Sequence, residues 1–566
     1  MPPCGKPVDA RAADSRPRRQ NASIKAGVLA LVYQSRRSLA GPERTLRKNR
    51  SGVVKRSVLC ASLLAGASIP LFIGPVLAQS GPFAAPLETR PVTATEAATA
   101  TMQAGIAASR KKQDGPYFAA QPSKPPNFLY KGFGEPENWR ISGSFRPRVE
   151  GIANQFRPVP TFAANDILNS YLTTLHVEYG IKGPVRVGVE LFDSRGYFQQ
   201  RNSSAFTTEI NALEPGQAYL NFDTGDLGDN GSKSSLTVGR FTKNIGSRRL
   251  VSRQQFRNTI NAYTGVSFDW QGVGKDKFTA LWVMPHTRLP DDVNGILDNG
   301  IEFDRESLNL QLFGASYTFA NIFGGTFELY GYGLYEQDSG TGLRSVQTRD
   351  RRLFTPGLRL ARAPRVGEFD YDFEGIYQTG LARETAAAAD QRDLTVSAYF
   401  VHAEVGYTLD HEWKPRLSLH YDHASGDRAN DGKFSRFDTL FGARRFEYGP
   451  TGLYGPVQRA NLISPSIRAE ITPSPVWDAF IAYRPLWLES ATDTFAATLI
   501  RDRTGRSGTF AGHQIEGRLR YWIIPNEMIL DTGLAYLAKG DFLRNAPNAP
   551  DTGDTFYGYL NTTLFF

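Results

Sequence analysis

The sequence predicts an all-β fold, a transmembrane up-and-down antiparallel β-barrel of about 18 strands. The 566 residues are 41% hydrophobic with a mean hydropathy of −0.35, which is too polar for a multi-helix membrane protein. Aromatic residues make up 12% and there are 54 glycines, a mixture typical of long β-architectures. No apolar stretch of helix-spanning length follows residue 78, so a membrane-embedded body must be a closed barrel.

Residues 1–78 are predicted to form an extended N-terminus that contains a secretory signal peptide. Lys55 and Arg56 precede an apolar run that ends at Leu77, and small residues place cleavage near Ala78. An N-terminal membrane anchor is the alternative, although two prolines interrupt the run. The segment ahead of the run is unusually long, which suggests a true start codon nearer the run. The sequence therefore predicts an exported protein.

The charge is concentrated in this leader. Of the 65 Lys+Arg and 56 Asp+Glu residues, residues 1–78 hold 14 and 3, which leaves 51 basic and 53 acidic residues in the body. A nearly neutral body argues against a nucleic-acid partner. Both cysteines, Cys4 and Cys60, also lie in the leader, so the body has no thiol for a disulfide, a cluster or a nucleophile.

The remaining chain divides at residue 138. Residues 79–137 are rich in Pro, Ala, Thr and Gln and predict a mostly flexible periplasmic lead-in, with one short helix around residues 97–112. From residue 138 to 566 apolar and polar positions alternate with period two. The pattern predicts eighteen strands, at residues 138–150, 169–180, 184–193, 215–223, 234–243, 262–271, 275–283, 307–319, 324–336, 354–362, 368–379, 396–409, 415–423, 460–472, 475–488, 509–523, 526–539 and 552–566.

The connections support a barrel over a soluble β-sandwich. Long links such as 151–168 and 424–459 alternate with short turns such as 181–183 and 410–414, as external loops and periplasmic turns do in outer-membrane barrels. In the final strand, alternate residues from Phe556 to Phe566 share one face. An alternating last strand that ends on an aromatic residue resembles the signal read by the barrel-assembly machinery.

Several short segments resemble the alginate-export family of outer-membrane porins, from about Trp139 to the C-terminus. The resemblance implies a Gram-negative outer-membrane barrel with an arginine-rich conduit for an anionic polysaccharide, with periplasmic export partners. The matching motifs, in chain order, are Val189-Glu190-Leu191-Phe192-Asp193-Ser194-Arg195, Gln217-Ala218-Tyr219-Leu220, Val238-Gly239-Arg240, Arg248-Arg249-Leu250-Val251, Phe256-Arg257-Asn258-Thr259, Ala424-Ser425-Gly426-Asp427, Phe437-Asp438-Thr439-Leu440-Phe441 and Tyr448-Gly449.

Strand parity assigns the conduit residues. In the first strand Trp139, Ile141 and Phe145 face lipid, so the intervening arginines face the lumen. Seven arginines fall on four neighbouring strands at the seam, opposed there only by Glu150, Glu470 and Glu516. The residues near the external loops are assigned to the mouth of the conduit, and these are Arg240, Arg248, Arg249, Arg253, Arg257, Asp193 and Arg195. The substrate-conduit residues are Arg140, Arg146, Arg148, Arg240, Arg249, Arg359, Arg468, Arg484, Arg518, Arg520, Asp193 and Arg195.

Five inward carboxylates, on the eleventh to thirteenth predicted strands, oppose this basic wall: Asp370, Asp372, Glu374, Glu404 and Asp422. We expect a transverse field that selects anions, because guanidinium groups bind carboxylates in a bidentate fork and keep their charge. The alternative is that opposed lumenal charges simply pair. The external arginines are equally consistent with solvated loop charges or with contacts to lipopolysaccharide phosphates beside the outer-membrane lipid.

The competing functions are an outer-membrane enzyme and a general or substrate-selective porin for uptake of small sugars or organic acids. No nucleophile motif is present, and His420 and Asp422 face away from His423 on a strand, so we expect no enzyme, no catalytic residue and no cofactor. Asp427, Asp431 and Asp438 offer oxygen ligands for Ca²⁺, but loop solubility explains them equally, and no metal is assigned.

Overall fold

Eighteen antiparallel strands close into one barrel in the computed structural model, which describes residues 127–340, 346–429 and 431–566. The predicted leader, its cleavage site and the helix at 97–112 lie outside the described residues. Within the described part, the helices are all too short or too polar to cross a membrane. These helices are α1 (Asn127–Gly132), α2 (Val293–Leu297), α3 (Arg445–Tyr448) and α4 (Asp541–Asn545).

The predicted strand count is confirmed, and each of the eighteen predicted segments overlaps one barrel strand. A nineteenth strand, β14, has two residues and lies in a loop beside β12. The strands are β1 (Trp139–Ala153), β2 (Asp166–Tyr179), β3 (Val185–Tyr197), β4 (Asn211–Gly225), β5 (Lys233–Phe241), β6 (Tyr263–Gln271), β7 (Lys277–Pro285), β8 (Leu310–Ile322), β9 (Gly325–Glu336), β10 (Arg352–Arg362), β11 (Phe369–Ala382), β12 (Leu394–Thr408), β13 (Arg416–Ala424), β14 (Lys433–Phe434), β15 (Leu462–Ser474), β16 (Trp477–Trp487), β17 (Phe510–Ile524), β18 (Met528–Lys539) and β19 (Thr555–Phe565).

The barrel closes where β19 pairs with β1, with Phe565 opposite Ser144. The last residue extends this seam, because the Phe566 N–H donates to the carbonyl of Gly143 at 3.0 Å. Its ring also lies against the outward side of Gly143, where a Cβ would collide with it. Short turns lie at this end of the barrel and the long loops at the other, as the alternation predicted.

Apolar side chains form the outer face of the strands. On β3, Val187, Val189 and Leu191 are 43–44% exposed, whereas Glu190 and Phe192, on the opposite parity, are 2% exposed and face inward. This alternation places apolar groups against lipid and polar groups in the lumen. Ile141 keeps the predicted outward parity but is only 9% exposed, and the Phe566 ring lies on the same face of β1 beside Gly143.

Two long loops fold into the barrel and create its core. We call residues 242–262, between β5 and β6, lumenal loop 1, and residues 425–461, between β13 and β15, lumenal loop 2. Loop 1 packs Phe256 edge-on against Tyr559 of β19, with centroids 5.0 Å apart. The loops also join each other, because the Phe441 N–H donates to the Leu250 carbonyl at 2.9 Å. The lumen is therefore partly filled by its own connections.

Candidate functional site

Lumenal loop 1 crosses the bore from one wall to the other. On β1, Arg146 donates to the carbonyls of Gln255 and Arg257, both at 2.9 Å. On β11, Glu374 accepts hydrogen bonds from Ser247 and Arg249 of the same loop. Because β1 and β11 lie on nearly opposite sides of the barrel, the loop narrows the lumen between them.

Lumenal loop 2 is held to the seam side of the barrel. The Leu453 N–H contacts Glu150 on β1 at 3.3 Å, and the Tyr454 hydroxyl donates to Gln514 on β17 at 3.0 Å. Arg445 forms a salt bridge of 3.1 Å with Glu516, also on β17. Several contacts on separate strands thus fix this loop inside the barrel.

A buried charge network connects the two loops. Arg249 of loop 1 bonds Glu447 of loop 2 at 2.5 Å and also contacts Glu374 and Asp372 on β11. Glu447 in turn accepts from Arg459. Arg249 is 2% exposed and each charge has a partner, so the network locks the loops together and to the wall.

Three arginines of the predicted seam wall anchor these loops. Arg146 and Arg148 on β1 and Arg484 on β16 face the lumen, as parity predicted, and are at most 8% exposed. Arg148 donates to the Phe256 carbonyl at 2.6 Å and lies over that ring. Arg484 donates to the Glu447 carbonyl. Their guanidinium groups bond loop backbone, which sequence alone did not indicate.

The other seam arginines lie beside carboxylates or rings on neighbouring strands. Arg520 forms a bidentate pair with Asp478 at 2.8 Å for both contacts. The prediction that only Glu150, Glu470 and Glu516 oppose this wall is therefore wrong, because Asp478 has the same inward parity as Arg484 on β16. The remaining contacts are Arg140 with Glu178 at 2.7 Å, Arg468 with Glu470 at 2.5 Å, and Arg518 over the Phe480 ring at 5.3 Å.

The carboxylates predicted on the opposite wall are also matched by cations. Arg416 on β13 binds both Asp370 and Glu404, and Arg359 on β10 forms a bidentate pair with Asp372. Glu374 contacts Arg249, and Asp422 lies 3.7 Å from Arg484 and also contacts the His402 imidazole. This arrangement favours the alternative in which opposed lumenal charges pair, over an unbalanced transverse field.

The predicted mouth residues that lie outside lumenal loop 1 separate into two groups. Arg240 lies in the barrel wall and binds Glu214. Asp193 and Arg195 pair with each other at 2.9 Å on the outward parity of β3, with both side chains 32% exposed. They share the face of Val189 and Leu191, so the geometry places them outside the lumen.

An open cavity of about 570 Å³ lies above the narrowed bore, among the long loops. We call it the outer vestibule. Its charged lining comprises six arginines and three carboxylates, namely Arg157, Arg257, Arg349, Arg436, Arg444, Arg501, Glu384, Asp427 and Asp493. None of the six belongs to the predicted conduit set, because strand parity cannot place a loop residue. Two signals in the sequence pointed here, namely the assignment of Arg257 to the mouth of the conduit and the Ala424-Ser425-Gly426-Asp427 motif, which ends on a lining residue.

Five of these arginines, all except Arg436, form no ion pair with a carboxylate of the described residues. Burial lowers the pKa of Arg157 to about 10, and burial together with the neighbouring Arg157 and Arg459 lowers the pKa of Arg444 to about 10. Burial and the neighbouring Arg444 and Arg288 also lower the pKa of Arg257. Arginine side chains stay protonated in proteins, so the vestibule holds partly desolvated positive charge that a bound anion would compensate.

Comparison with known families decides what this barrel is. The alginate export family model matches residues 140–553, nearly the whole barrel. The chain belongs to the alginate export family. Membership and the closed barrel together identify an outer-membrane channel, as the motifs had predicted. The alginate-export chain matches none of the curated proteins with which it was compared.

The solved structures that resemble this barrel have low sequence identity to this chain. OccK9 (OpdG) of Pseudomonas aeruginosa is 11% identical over 76% of this chain and 98% of its own, with a TM-score of 0.48. The outer membrane protein OpdK of Pseudomonas aeruginosa is 12% identical over 75% and 98%, with a TM-score of 0.47. OccAB1 of Acinetobacter baumannii is 11% identical over 76% and 97%, with a TM-score of 0.48.

Proposed function

We propose that this channel passes an anionic polysaccharide or oligosaccharide, of the alginate type, and that the outer vestibule is its main charged contact. The observation that carries the proposal is the imbalance of six arginines over three carboxylates in the vestibule lining. Arg257 and Arg444 are central, because both are half-buried and neither has a carboxylate partner among the described residues. The strand arginines, which are already engaged, have a supporting role in this proposal.

The chemistry of the vestibule suits repeated carboxylates. A guanidinium group binds a carboxylate through two parallel N–H donors and stays charged at any relevant pH. Arginines from separate loops offer several such contacts across one opening, so successive sugar acids can exchange between them. Transport requires contacts of this kind, each strong enough to admit the polymer and weak enough to release it.

The test is current block in planar bilayers that contain the purified full-length chain. We expect an oligouronate to block the channel at lower concentration than a neutral oligosaccharide of equal length. Replacing Arg257 and Arg444 together by serine should weaken the oligouronate block at least tenfold, because two desolvated cations are lost. Block by the neutral sugar should stay unchanged.

Arg305→Ser is a suitable control, since Arg305 lies on an external loop with 63% of its side chain exposed and does not line the vestibule. It removes the same type of charge and should leave the oligouronate block at the wild-type value. Equal block by neutral and acidic sugars would contradict the proposal and favour a general porin. So would unchanged oligouronate block in the vestibule double variant.

A further inference from the structure

A cluster with metal-ligand chemistry lies on the lumenal wall, apart from the vestibule. His402 and Glu404 on β12 face His420 and Asp422 on β13, in the pairs His402 with Asp422 and Glu404 with His420. All four share the inward parity of their strands, and their side chains are at most 11% exposed. Two imidazoles and two carboxylates therefore converge on one patch of the wall.

The distances within the patch fit a single ion. The Oε2 atom of Glu404 lies 3.8 Å from Nε2 of His402 and 3.3 Å from Nδ1 of His420. Ligand atoms offered by the three residues all lie within 4.8 Å of one another. Tetrahedral Zn²⁺ with bonds of about 2.0–2.1 Å separates its ligands by roughly 3.4 Å, so small side-chain rotations would bring all three into coordination.

His402 supplies an independent indication of a ligand. Its Nδ1 bonds the Asp422 carboxylate at 2.7 Å, so in the tautomer that donates this bond Nε2 carries a lone pair. That Nε2 atom is buried and has no hydrogen-bond partner within the described residues. A carboxylate that fixes one imidazole nitrogen while the other points into a cluster of ligands is the usual arrangement behind metal-binding histidines.

The other two side chains are oriented in the same manner. Arg416 donates to Oε1 of Glu404 at 2.6 Å, which leaves Oε2 facing the histidines. Ser418 lies 2.8 Å from Nε2 of His420, which leaves Nδ1 facing Glu404. Each candidate ligand is thus held by one neighbour through the atom that would not coordinate.

We propose that His402, Glu404 and His420 bind a divalent transition-metal ion of the Zn²⁺ type, with its remaining position open to water from the lumen. Two imidazoles and one carboxylate favour this class over Ca²⁺ or Mg²⁺, which take oxygen ligands. The ion would cross-link β12 to β13 at the acidic wall and satisfy the free nitrogen of His402. This inference is independent of the proposed substrate.

The test is metal binding by the full-length chain, purified in detergent, stripped with chelator and titrated with Co²⁺ and then Zn²⁺. We expect one Co²⁺ per chain with the intense visible absorption of four-coordinate cobalt, and its displacement by one Zn²⁺. His402→Gln and His420→Gln should each weaken Zn²⁺ binding more than tenfold. Asp422→Asn should weaken it by about 10–100-fold through loss of the orienting contact.

His423→Gln is the matched control, because His423 lies on β13 with outward parity and contacts Tyr399 instead. It should bind Zn²⁺ as tightly as wild type. X-ray absorption of the zinc-loaded wild-type chain should show two imidazole ligands, a result that does not depend on any variant folding. Absence of stoichiometric binding, or wild-type affinity in His402→Gln, would overturn the proposal and leave a proton as the occupant of His402 Nε2.

Discussion

The seam wall and the outer vestibule both contain arginines, but they use the charge differently. On the seam, Arg520 is paired with Asp478 and Arg148 donates to a loop carbonyl. In the vestibule, Arg257 and Arg444 have no carboxylate partner among the described residues. We therefore expect a lumenal arginine to contribute to ion selection only where the fold leaves its charge uncompensated. The number of arginines on a wall is therefore a poor measure of its potential.

The largest expected effect follows from Arg249→Met, which removes the cation that joins the two lumenal loops. Glu374 and Glu447 would stay buried after losing this partner, which typically costs about 3–5 kcal/mol. We expect a lower thermal unfolding temperature and a larger, noisier single-channel conductance as loop 1 loosens. Unchanged conductance and stability would show that the network does not hold the loops.

Measurements of ion selectivity distinguish the vestibule from the seam wall directly. Serine at both Arg257 and Arg444 should lower the anion-to-cation permeability ratio several-fold, because the vestibule loses charge that no carboxylate in the described part of the chain pairs with. Reversal potentials in a salt gradient measure this ratio. A ratio equal to wild type would mean that the vestibule does not select ions.

Substitutions in the seam wall should change the anion-to-cation permeability ratio far less than those in the vestibule. The double variant R520S with D478N removes one charge of each sign from a bonded pair, so the same reversal potential should stay close to wild type. A marked fall in anion preference would restore the seam wall as the selective region. R520S alone is a useful companion, since it leaves Asp478 negative and should shift the ratio towards cations.

Acidic pH should raise the anion-to-cation permeability ratio, by less than the Arg257 and Arg444 substitutions lower it. Burial, together with Asp493 and Asp431, raises the pKa of Asp427 against the opposing effects of the Ser435 N–H and Arg501. As the pH falls, Asp427 therefore loses its negative charge earlier than an ordinary aspartate, and the lining becomes more positive. The permeability ratio should rise over this interval in wild type, and D427N should abolish that part of the rise.

The smallest effect is expected outside the lumen. D193N with R195Q removes an outward pair with side chains about one-third exposed, so unfolding free energy should change by about 0–1 kcal/mol. Permeability should not change. A selectivity shift comparable to that of the vestibule variants would show that these residues do line the conduit.

The strands were predictable because lipid and lumen impose opposite polarity on successive residues. All eighteen segments were identified, and parity correctly turned Arg146, Arg148 and Arg484 inward. The pairing of residues on neighbouring strands was not predicted, although the register of one strand pair could have been derived from the sequence. The predicted turn at 410–414 is centred on residue 412, and a symmetric hairpin about that point places Glu404 opposite His420 and His402 opposite Asp422, as observed.

The vestibule could not be predicted in this way, because the residues of a loop do not alternate in polarity with a fixed period. Lumenal loops 1 and 2 turn inward through contacts with strands remote in sequence, such as Arg146 with Gln255 and Glu150 with Leu453. The alternation of polarity identifies the wall of a barrel, whereas the contents of the bore depend on long-range packing.

The pairing of β1 with β19 also constrains how the molecule is made. Ser144 can pair with Phe565 only after all the intervening strands have been added to the sheet. Until then, one edge of β1 has unpaired backbone donors and acceptors. In hydrocarbon such an open edge is costly. We therefore expect assembly to need a temporary template that pairs with this edge until the final strand replaces it.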